Sequence, residues 1–103
     1  MEVSVGKLSD FAGKNMVAVV SGDYDLLITR DSTGALCAMV DRCSHADVKL
    51  SEGDWETGIV ECCAHGAKFD AKTGRALCMP AVSPVRTFPL RIANEEVFVT
   101  LPD

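Results

Sequence analysis

Cysteine and histidine, residue types that bind transition metals, lie together in two short stretches of this chain. The first stretch reads Cys43-Ser44-His45, and the second reads Cys62-Cys63-Ala64-His65. Each stretch offers one thiolate and one imidazole, which are ligands of zinc, copper and iron–sulfur centres. A single pair of this kind would be weak evidence, but two pairs separated by one strand-and-turn length are specific. The spacing therefore predicts two loops that converge on one metal centre.

The mixture of Cys and His within each stretch favours a [2Fe–2S] cluster in which two His replace two Cys on one iron. In each pair the thiolate would hold one iron, and the longer imidazole would reach the other. A structural zinc site is a second interpretation, although zinc fingers usually group the Cys pair at one end and the His pair on a helix. A third interpretation is two unrelated pairs that bind no metal.

Composition and charge narrow the class of protein. The 103 residues are 48% hydrophobic and 24% charged, which is typical of one soluble globular domain. The formal net charge of −5 argues against nucleic acid binding, which requires a basic surface. It suits an electron carrier that docks on basic partners. The sequence has no catalytic Ser/His/Asp group, phosphate loop or nucleotide fingerprint, so we expect no catalytic residues and no enzyme activity.

The cysteines and the N-terminal sequence indicate a reducing compartment. Five cysteines are an odd number, and the first residues have neither a basic region nor an apolar stretch of the secretory kind. No window approaches the length of a membrane span. We therefore expect a cytoplasmic protein without a membrane anchor, with cysteines that are thiols or cluster ligands.

Short apolar runs separated by turn residues predict an all-β fold with an antiparallel sandwich or barrel as its base. The predicted strands are Met1–Val5, Asn15–Ser21, Leu26–Arg30, Ala35–Val40, Ile59–Glu61, Lys68–Asp70, Arg75–Leu77, Arg86–Ile92 and Val97–Leu101. Leu8–Phe11 fits either a helical turn or a loop. Leu50–Gly58 is expected to be rich in turns, and Pro89 confines its strand to an edge or a bulge.

The domain prediction follows from where the metal-binding stretches fall. We expect one domain over 1–103, in which a smaller β subdomain of about 41–82 carries the cluster. This subdomain is inserted in a β base formed by 1–40 and 83–103. Met79–Pro84 is expected to be a stiff loop, because its two prolines fix φ.

At this point the chain resembles soluble Rieske-type ferredoxins that serve bacterial aromatic-ring-hydroxylating dioxygenases. The resemblance covers nearly the whole chain and rests on a series of short motifs in the family order: Cys43-Ser44-His45, Leu50-Ser51-Glu52-Gly53, Val60-Glu61-Cys62, His65-Gly66, Phe69-Asp70, Thr73-Gly74 and Pro80. Soluble Rieske proteins of iron–sulfur assembly systems share these motifs.

The resemblance implies a function, a ligand set and partners. Cys43 and Cys62 would hold the inner iron, and His45 and His65 the outer iron, of a Rieske-type [2Fe–2S] cluster. The protein would be a monomer that carries one electron from a flavin-containing ferredoxin reductase to a terminal oxygenase of aromatic hydrocarbon catabolism. Its contacts with these partners would be transient, and it would bind neither nucleic acid nor membrane. A Rieske ferredoxin of another pathway, such as iron–sulfur cluster assembly, is the alternative.

Two departures separate this chain from the Rieske proteins of cytochrome complexes. Those proteins resemble the motif but add a disulfide between the two loops, and the matching positions here are Val48 and Ala64. They also carry hydroxyl donors to the cluster where this chain has Ala67 and Phe69. Since such donors raise the potential, the resemblance implies a potential below zero.

Several residues near the motifs have structural interpretations. We expect Cys63 to pack under the second loop, Cys37 to belong to the core, and Cys78 to pack near the cluster. Trp55 is expected to pack against the loop around it. Gly66 would either let backbone N–H groups approach the cluster or simply serve as a loop glycine. Pro80 would stiffen the loop over the cluster or serve as an ordinary turn residue.

Overall fold

A computed structural model describes residues 1–44, 47–64, 66–78 and 83–102, and its regular secondary structure is almost wholly β-strand. The strands of these residues are β1 (Glu2–Lys7), β2 (Met16–Ser21), β3 (Tyr24–Arg30), β4 (Leu36–Val40), β5 (Asp54–Glu56), β6 (Ile59–Glu61), β7 (Lys68–Asp70), β8 (Thr87–Phe88), β9 (Leu90–Ala93) and β10 (Glu96–Thr100). Leu8–Phe11 and Leu50–Glu52 form single turns of 3₁₀ helix. The predicted all-β class is confirmed. None of the helical turns described is long and apolar enough to cross a membrane.

Two antiparallel sheets form a sandwich. One sheet has the strand order β1-β10-β9, and the other has the order β2-β3-β4-β8. Alternate residues of a strand point to opposite faces, so each sheet can bury one face against the other. The residues buried between the two sheets are Phe11, Leu26, Ile28, Ala38, Phe88, Val97, Val99 and Leu101.

Strand β3 is covered on both faces and joins this sandwich to a second core. Leu26 and Ile28 point into the sandwich, whereas Leu27, between them, belongs to a separate buried cluster. That cluster lies against a third sheet, of order β5-β6-β7, and contains both Cys43 and Cys62. A strand that is buried on both faces reads as a continuous apolar run, as Leu26–Ile28 does.

Pro89 ends one strand and lets the next one join another sheet. Arg86–Ile92 was expected to be one strand, and this is wrong: β8 pairs with β4, whereas β9 pairs with β10. Proline has no N–H to donate to a sheet, so both strands beside it lie at sheet edges, as the sequence predicted. The third sheet comes between β4 and β8 along the chain, and these two strands pair with each other in the sandwich.

Two further strand predictions need correction around the third sheet. Leu50–Gly58 contains a strand, β5, which pairs with β6. Arg75–Leu77 is not a strand, since only one bridge joins Phe69 to Ala76. The pairing predicted for this stretch is nevertheless present, because Asp70 donates to the Arg75 carbonyl and Leu77 donates to the Lys68 carbonyl.

Leu27 is predicted to be a major source of stability, since its side chain is fully buried at the contact between the sandwich and the third sheet. Leu27→Ala should lower the free energy of unfolding by about 2–5 kcal/mol, through lost burial and the cavity left behind. Val20→Ala on β2 is the control, because Val20 is 68% exposed. Chemical denaturation followed by circular dichroism measures both changes, and equal losses would contradict the described packing.

Candidate metal centre

Two of the four predicted ligands meet in the interior. Cys43 and Cys62 are both buried, with 3% and 1% of their surface exposed. The Cys62 side chain is hydrogen-bonded to that of Cys43. His45 and His65 lie outside the described residues, so their part in the site stays a prediction. The structure therefore brings together two cysteines that are separated by the whole of residues 44–61.

The two loops that carry the cysteines are closed by equivalent hydrogen bonds. The N–H of Cys43 donates to the carbonyl of Val48 at 2.9 Å, and the N–H of Cys62 donates to the carbonyl of Ala67 at 2.7 Å. In both cases the bond joins a cysteine to the fifth residue after it, and the predicted His ligand lies inside the closed loop. Each of the two cysteines thus begins a loop that the backbone closes in the same way.

The Cys62 thiol is costly to ionise without a cation nearby. Burial raises the pKa of the Cys62 thiol to about 11, and the neighbouring Cys43 side chain adds to this rise. The Ala64 N–H, which donates to the Cys62 sulfur at 3.4 Å, opposes the rise because it stabilises the thiolate. Metal ions bind cysteine as the thiolate, so iron would supply the missing positive charge. The described donor set therefore fits a thiolate-bound metal centre.

A buried carboxylate holds the start of the first loop. Asp41 is only 2% exposed, and it accepts hydrogen bonds from the Ser51 N–H at 2.7 Å and the Ser51 hydroxyl at 2.6 Å. Its own N–H donates to the Asp25 carbonyl on β3. Buried polar groups need such partners, and these bonds fasten the chain two residues before Cys43 to both β3 and the 3₁₀ turn.

Gly53, after the same turn, allows a close approach to the second loop. A Cβ at this position would overlap the carbonyl oxygen of Glu61 and lie 3.2 Å from the Cys63 nitrogen. Only glycine leaves room for this backbone contact. Leu50, at the start of the turn, is fully buried in the core that contains the two cysteines. The Leu50–Gly53 motif therefore positions both ligand loops at once.

Cys78 and Ser83, two residues after the third sheet, each contact one of the two ligand loops. The Ser44 hydroxyl donates to the Ser83 carbonyl at 2.7 Å, and the Cys78 thiol makes a long contact of 3.8 Å with the Gly66 carbonyl. Cys78 thus lies near the predicted centre, as expected, although its side chain is exposed. Pro80 and most of the predicted stiff loop lie outside the described residues.

Two of the cysteine predictions are wrong. Cys63 was expected to pack under the second loop, but it is exposed. The alternation of β6 explains this, because Val60 and Cys62 point inward and Cys63 follows the outward phase. Cys37 was expected to belong to the core, but it is only half-buried, near the end of β4, where its thiol contacts the Ala35 carbonyl.

Other expectations for residues near the site are met. Trp55 packs against the core of the third sheet and donates its ring N–H to the Arg30 carbonyl at 2.8 Å, as a packing residue. Gly66 has a φ of +72°, a conformation that favours glycine in the loop. Ala67 and Phe69 are fully buried.

Residues 1–89 match the family model described as the Rieske [2Fe-2S] domain. The chain belongs to this family. A Rieske chain from Shigella boydii serotype 4, the ferredoxin subunit of 3-phenylpropionate/cinnamic acid dioxygenase, is 44% identical over 71 residues, which is 68% of this chain and 67% of that protein. The ferredoxin subunit of the same name from Escherichia coli K12 matches to the same extent. The cofactor of the family is a Rieske-type [2Fe–2S] cluster, as the sequence predicted.

Solved structures share this Rieske fold over almost the whole chain. The ferredoxin of carbazole 1,9a-dioxygenase from Nocardioides aromaticivorans IC177 has a TM-score of 0.88 and 27% identity over 96% of both chains. The Sphingomonas yanoikuyae B1 ferredoxin also has a TM-score of 0.88, with 26% identity over 99% of this chain and 100% of that chain. A third, from a complex of reduced oxygenase and oxidised ferredoxin in carbazole 1,9a-dioxygenase, has a TM-score of 0.86 and 28% identity, covering 95% of this chain and 91% of that chain.

The support that Asp41, Ser51 and Gly53 give to the ligand loops was not predicted from the sequence. Asp41 was not singled out, although it lies two residues before Cys43, where a carboxylate can cap a following turn. Ser51 and Gly53 were noted only as part of a family motif. Their partners, Asp41 and Glu61, are distant in sequence, so no local pattern identifies these contacts.

Asp41 is predicted to stabilise the first ligand loop. Asp41→Ala leaves the partly buried N–H of Ser51 without its acceptor and should cost about 1–3 kcal/mol of stability. Asp41→Asn should cost less, because its amide oxygen can still accept from the N–H and its amide N–H can donate to the hydroxyl. Denaturation measures stability, and visible absorbance per chain measures cluster content. A loss of stability in Asp41→Asn as large as that in Asp41→Ala would contradict the role given to these hydrogen bonds.

Proposed function

We propose that this Rieske protein is a one-electron carrier, the ferredoxin component of an aromatic-ring-hydroxylating dioxygenase system. The observation that carries the proposal is the meeting of the buried Cys43 and Cys62 in two loops that are closed by equivalent hydrogen bonds. When bound, the [2Fe–2S] cluster accepts and releases one electron. The chain itself holds the cluster, limits water around it and sets its potential. The relatives are named ferredoxin subunits, which supports a carrier rather than an enzyme.

The proposed ligands are Cys43 and Cys62 for one iron and His45 and His65 for the other. The described geometry supports the cysteine pair, and the closure of each loop around a histidine position supports the remainder. We also propose one domain over 1–103 with the cluster-binding subdomain of about 41–82. The third sheet is formed by chain that lies between β4 and β8 in sequence, and the pairing of β4 with β8 supports this arrangement.

The proposed partners are a flavin-containing reductase, which supplies the electron, and a terminal oxygenase, which receives it. The likeness to a ferredoxin from a complex with an oxygenase supports the second partner. We propose that the chain is a cytoplasmic monomer whose contacts with both partners are short-lived. Such electron-transfer contacts bury little surface, so the complexes can dissociate after each transfer.

Reconstituted turnover tests this function. The purified protein is mixed with a flavin reductase, a reduced nicotinamide cofactor and an aromatic-ring oxygenase, and hydroxylated product is measured. We expect product formation to require the ferredoxin and to saturate with it. A protein that is reduced normally but supports no oxygenase, and instead donates electrons to an iron–sulfur assembly system, would favour the alternative pathway.

Cluster composition provides the first prediction for this function. The purified protein should contain about two iron and two acid-labile sulfide per chain and be red-brown. Cys62→Ser should remove the visible spectrum, because it replaces a buried proposed ligand, whereas Cys63→Ser should retain it. Iron, zinc and sulfide analysis with absorption spectroscopy measures these outcomes. Stoichiometric zinc in a colourless protein, or loss of the cluster only in Cys63→Ser, would contradict the ligand assignment.

The reduction potential of the cluster provides the second prediction for this function. Rieske potentials span roughly −150 to +300 mV, and we expect this protein to lie below zero. Ala67 and Phe69 are buried beside the second loop and have no hydroxyl group to stabilise the reduced cluster. Ala67→Ser and Phe69→Tyr should each raise the potential, as measured by protein-film voltammetry. A wild-type midpoint well above zero would contradict the expectation.

A further inference from the structure

Glu61 places a carboxylate at the base of the second ligand loop. It is the last residue of β6 and directly precedes the proposed ligand Cys62. Its side chain is half-buried, and its Oε2 atom would lie 3.5 Å from a Cβ at Gly66. The carboxylate therefore lies beside the residue that follows the proposed ligand His65.

The neighbouring strands place one acidic and one basic residue opposite Glu61. Asp54 on β5 and Lys68 on β7 lie directly opposite Glu61, so all three side chains share the outer face of the third sheet. Asp54 repeats the negative charge and Lys68 opposes it, so the two neighbours together add no net charge. Within the part of the chain that the structure describes, no cation lies within ion-pair distance of Glu61; the ion pairs there are Arg42–Asp47 and Arg91–Glu2.

The first ligand loop differs in this respect. Arg42 and Asp47 flank its ligands and form an ion pair of 3.2 Å, so their charges largely cancel beside Cys43. At the second loop the Glu61 carboxylate forms no such ion pair among the described residues, although Lys68 lies on the next strand. The two loops therefore differ in whether the charges that flank them are paired at close range.

We propose that Glu61 is a potential-setting residue, whose fixed negative charge lowers the reduction potential of the cluster. The inference rests on the proposed function, since it assumes the cluster. Reduction adds one electron to the centre, and a nearby anion repels this added charge. The oxidised form is thereby favoured. The effect is through-space and adds to the absence of hydroxyl donors at Ala67 and Phe69.

Three variants separate this charge effect from a structural role. Glu61→Gln removes the charge and keeps the shape of the side chain, and Glu61→Asp keeps the charge. Glu56→Gln makes the same charge change on the same outer face, but Glu56 lies opposite Ile59, away from the ligand loop. The midpoint potential of each cluster-loaded protein is measured by film voltammetry and by dye-coupled titration in solution.

We expect Glu61→Gln to raise the ratio of reduced to oxidised protein at least about threefold at a fixed potential, which is about 28 mV for one electron. Glu61→Asp should stay near the wild type, and Glu56→Gln should shift less than Glu61→Gln. The shift of Glu61→Gln should also shrink between about 0.1 M and 1 M salt, because the Debye length falls from about 10 Å to 3 Å.

Several outcomes would overturn the inference. They are an unchanged or lowered potential in Glu61→Gln, an equal shift in Glu56→Gln, and a Glu61→Asp variant that behaves like Glu61→Gln. The absorption spectrum of each variant is recorded first, as a separate readout. A wild type without iron and sulfide would refute the proposed function itself, whereas a normal cluster with an unmoved potential would refute only the role of Glu61.

Discussion

The contact between the buried Cys43 and Cys62 side chains is the constraint on which the arrangement of the ligand loops depends. Two thiols from distant parts of the chain do not meet without support, because backbone ordering must be offset by other contacts. Asp41 fastens one loop to the 3₁₀ turn, and Gly53, just after this turn, lies against the other loop. One short motif thus supports both sides of the contact. The metal would add further stability, since ligands scattered in an unfolded chain cannot hold it.

The two cores explain how a small protein can present such a site rigidly. Strand β3 gives Leu26 and Ile28 to the sandwich and Leu27 to the core beneath the cysteines. The pairing of β4 with β8 fixes both ends of the intervening segment to neighbouring strands. Any change that separates the sandwich from the third sheet should therefore also disturb the ligand loops. A rigid frame of this kind suits electron transfer, which needs little rearrangement between oxidation states.

The sequence predicted the parts of this structure that are encoded locally. The two Cys/His stretches identified the cysteines that meet, and the predicted strands Leu26–Arg30 and Ala35–Val40 correspond to the hairpin of β3 and β4, in which Asp31 accepts from the Thr33 N–H. The alternation that buries Val60 and Cys62 could also have placed Cys63 on the outside. The general tendency of cysteine to be buried favours the opposite position for Cys63, and here the alternation decides.

Other features depend on tertiary structure and left no local signal. Strand β5 has three residues beside Gly53, and it is a strand only because β6 lies next to it. The change of sheet at Pro89 depends on which strands lie on either side, and a proline alone indicates only an edge. The contacts of Asp41 with Ser51 and of Gly53 with Glu61 join residues that are ten and eight positions apart.

Hyperfine spectroscopy of the reduced protein tests the central claim, that two cysteines and two histidines hold a [2Fe–2S] cluster. The chain contains only two histidines, His45 and His65, so ¹⁵N-histidine labelling marks the proposed nitrogen ligands and no others. The account predicts strong couplings from two ¹⁵N nuclei to the electron spin of the reduced cluster. A cluster signal without ¹⁵N coupling would contradict it, since the ligands would then be drawn from the five cysteines alone.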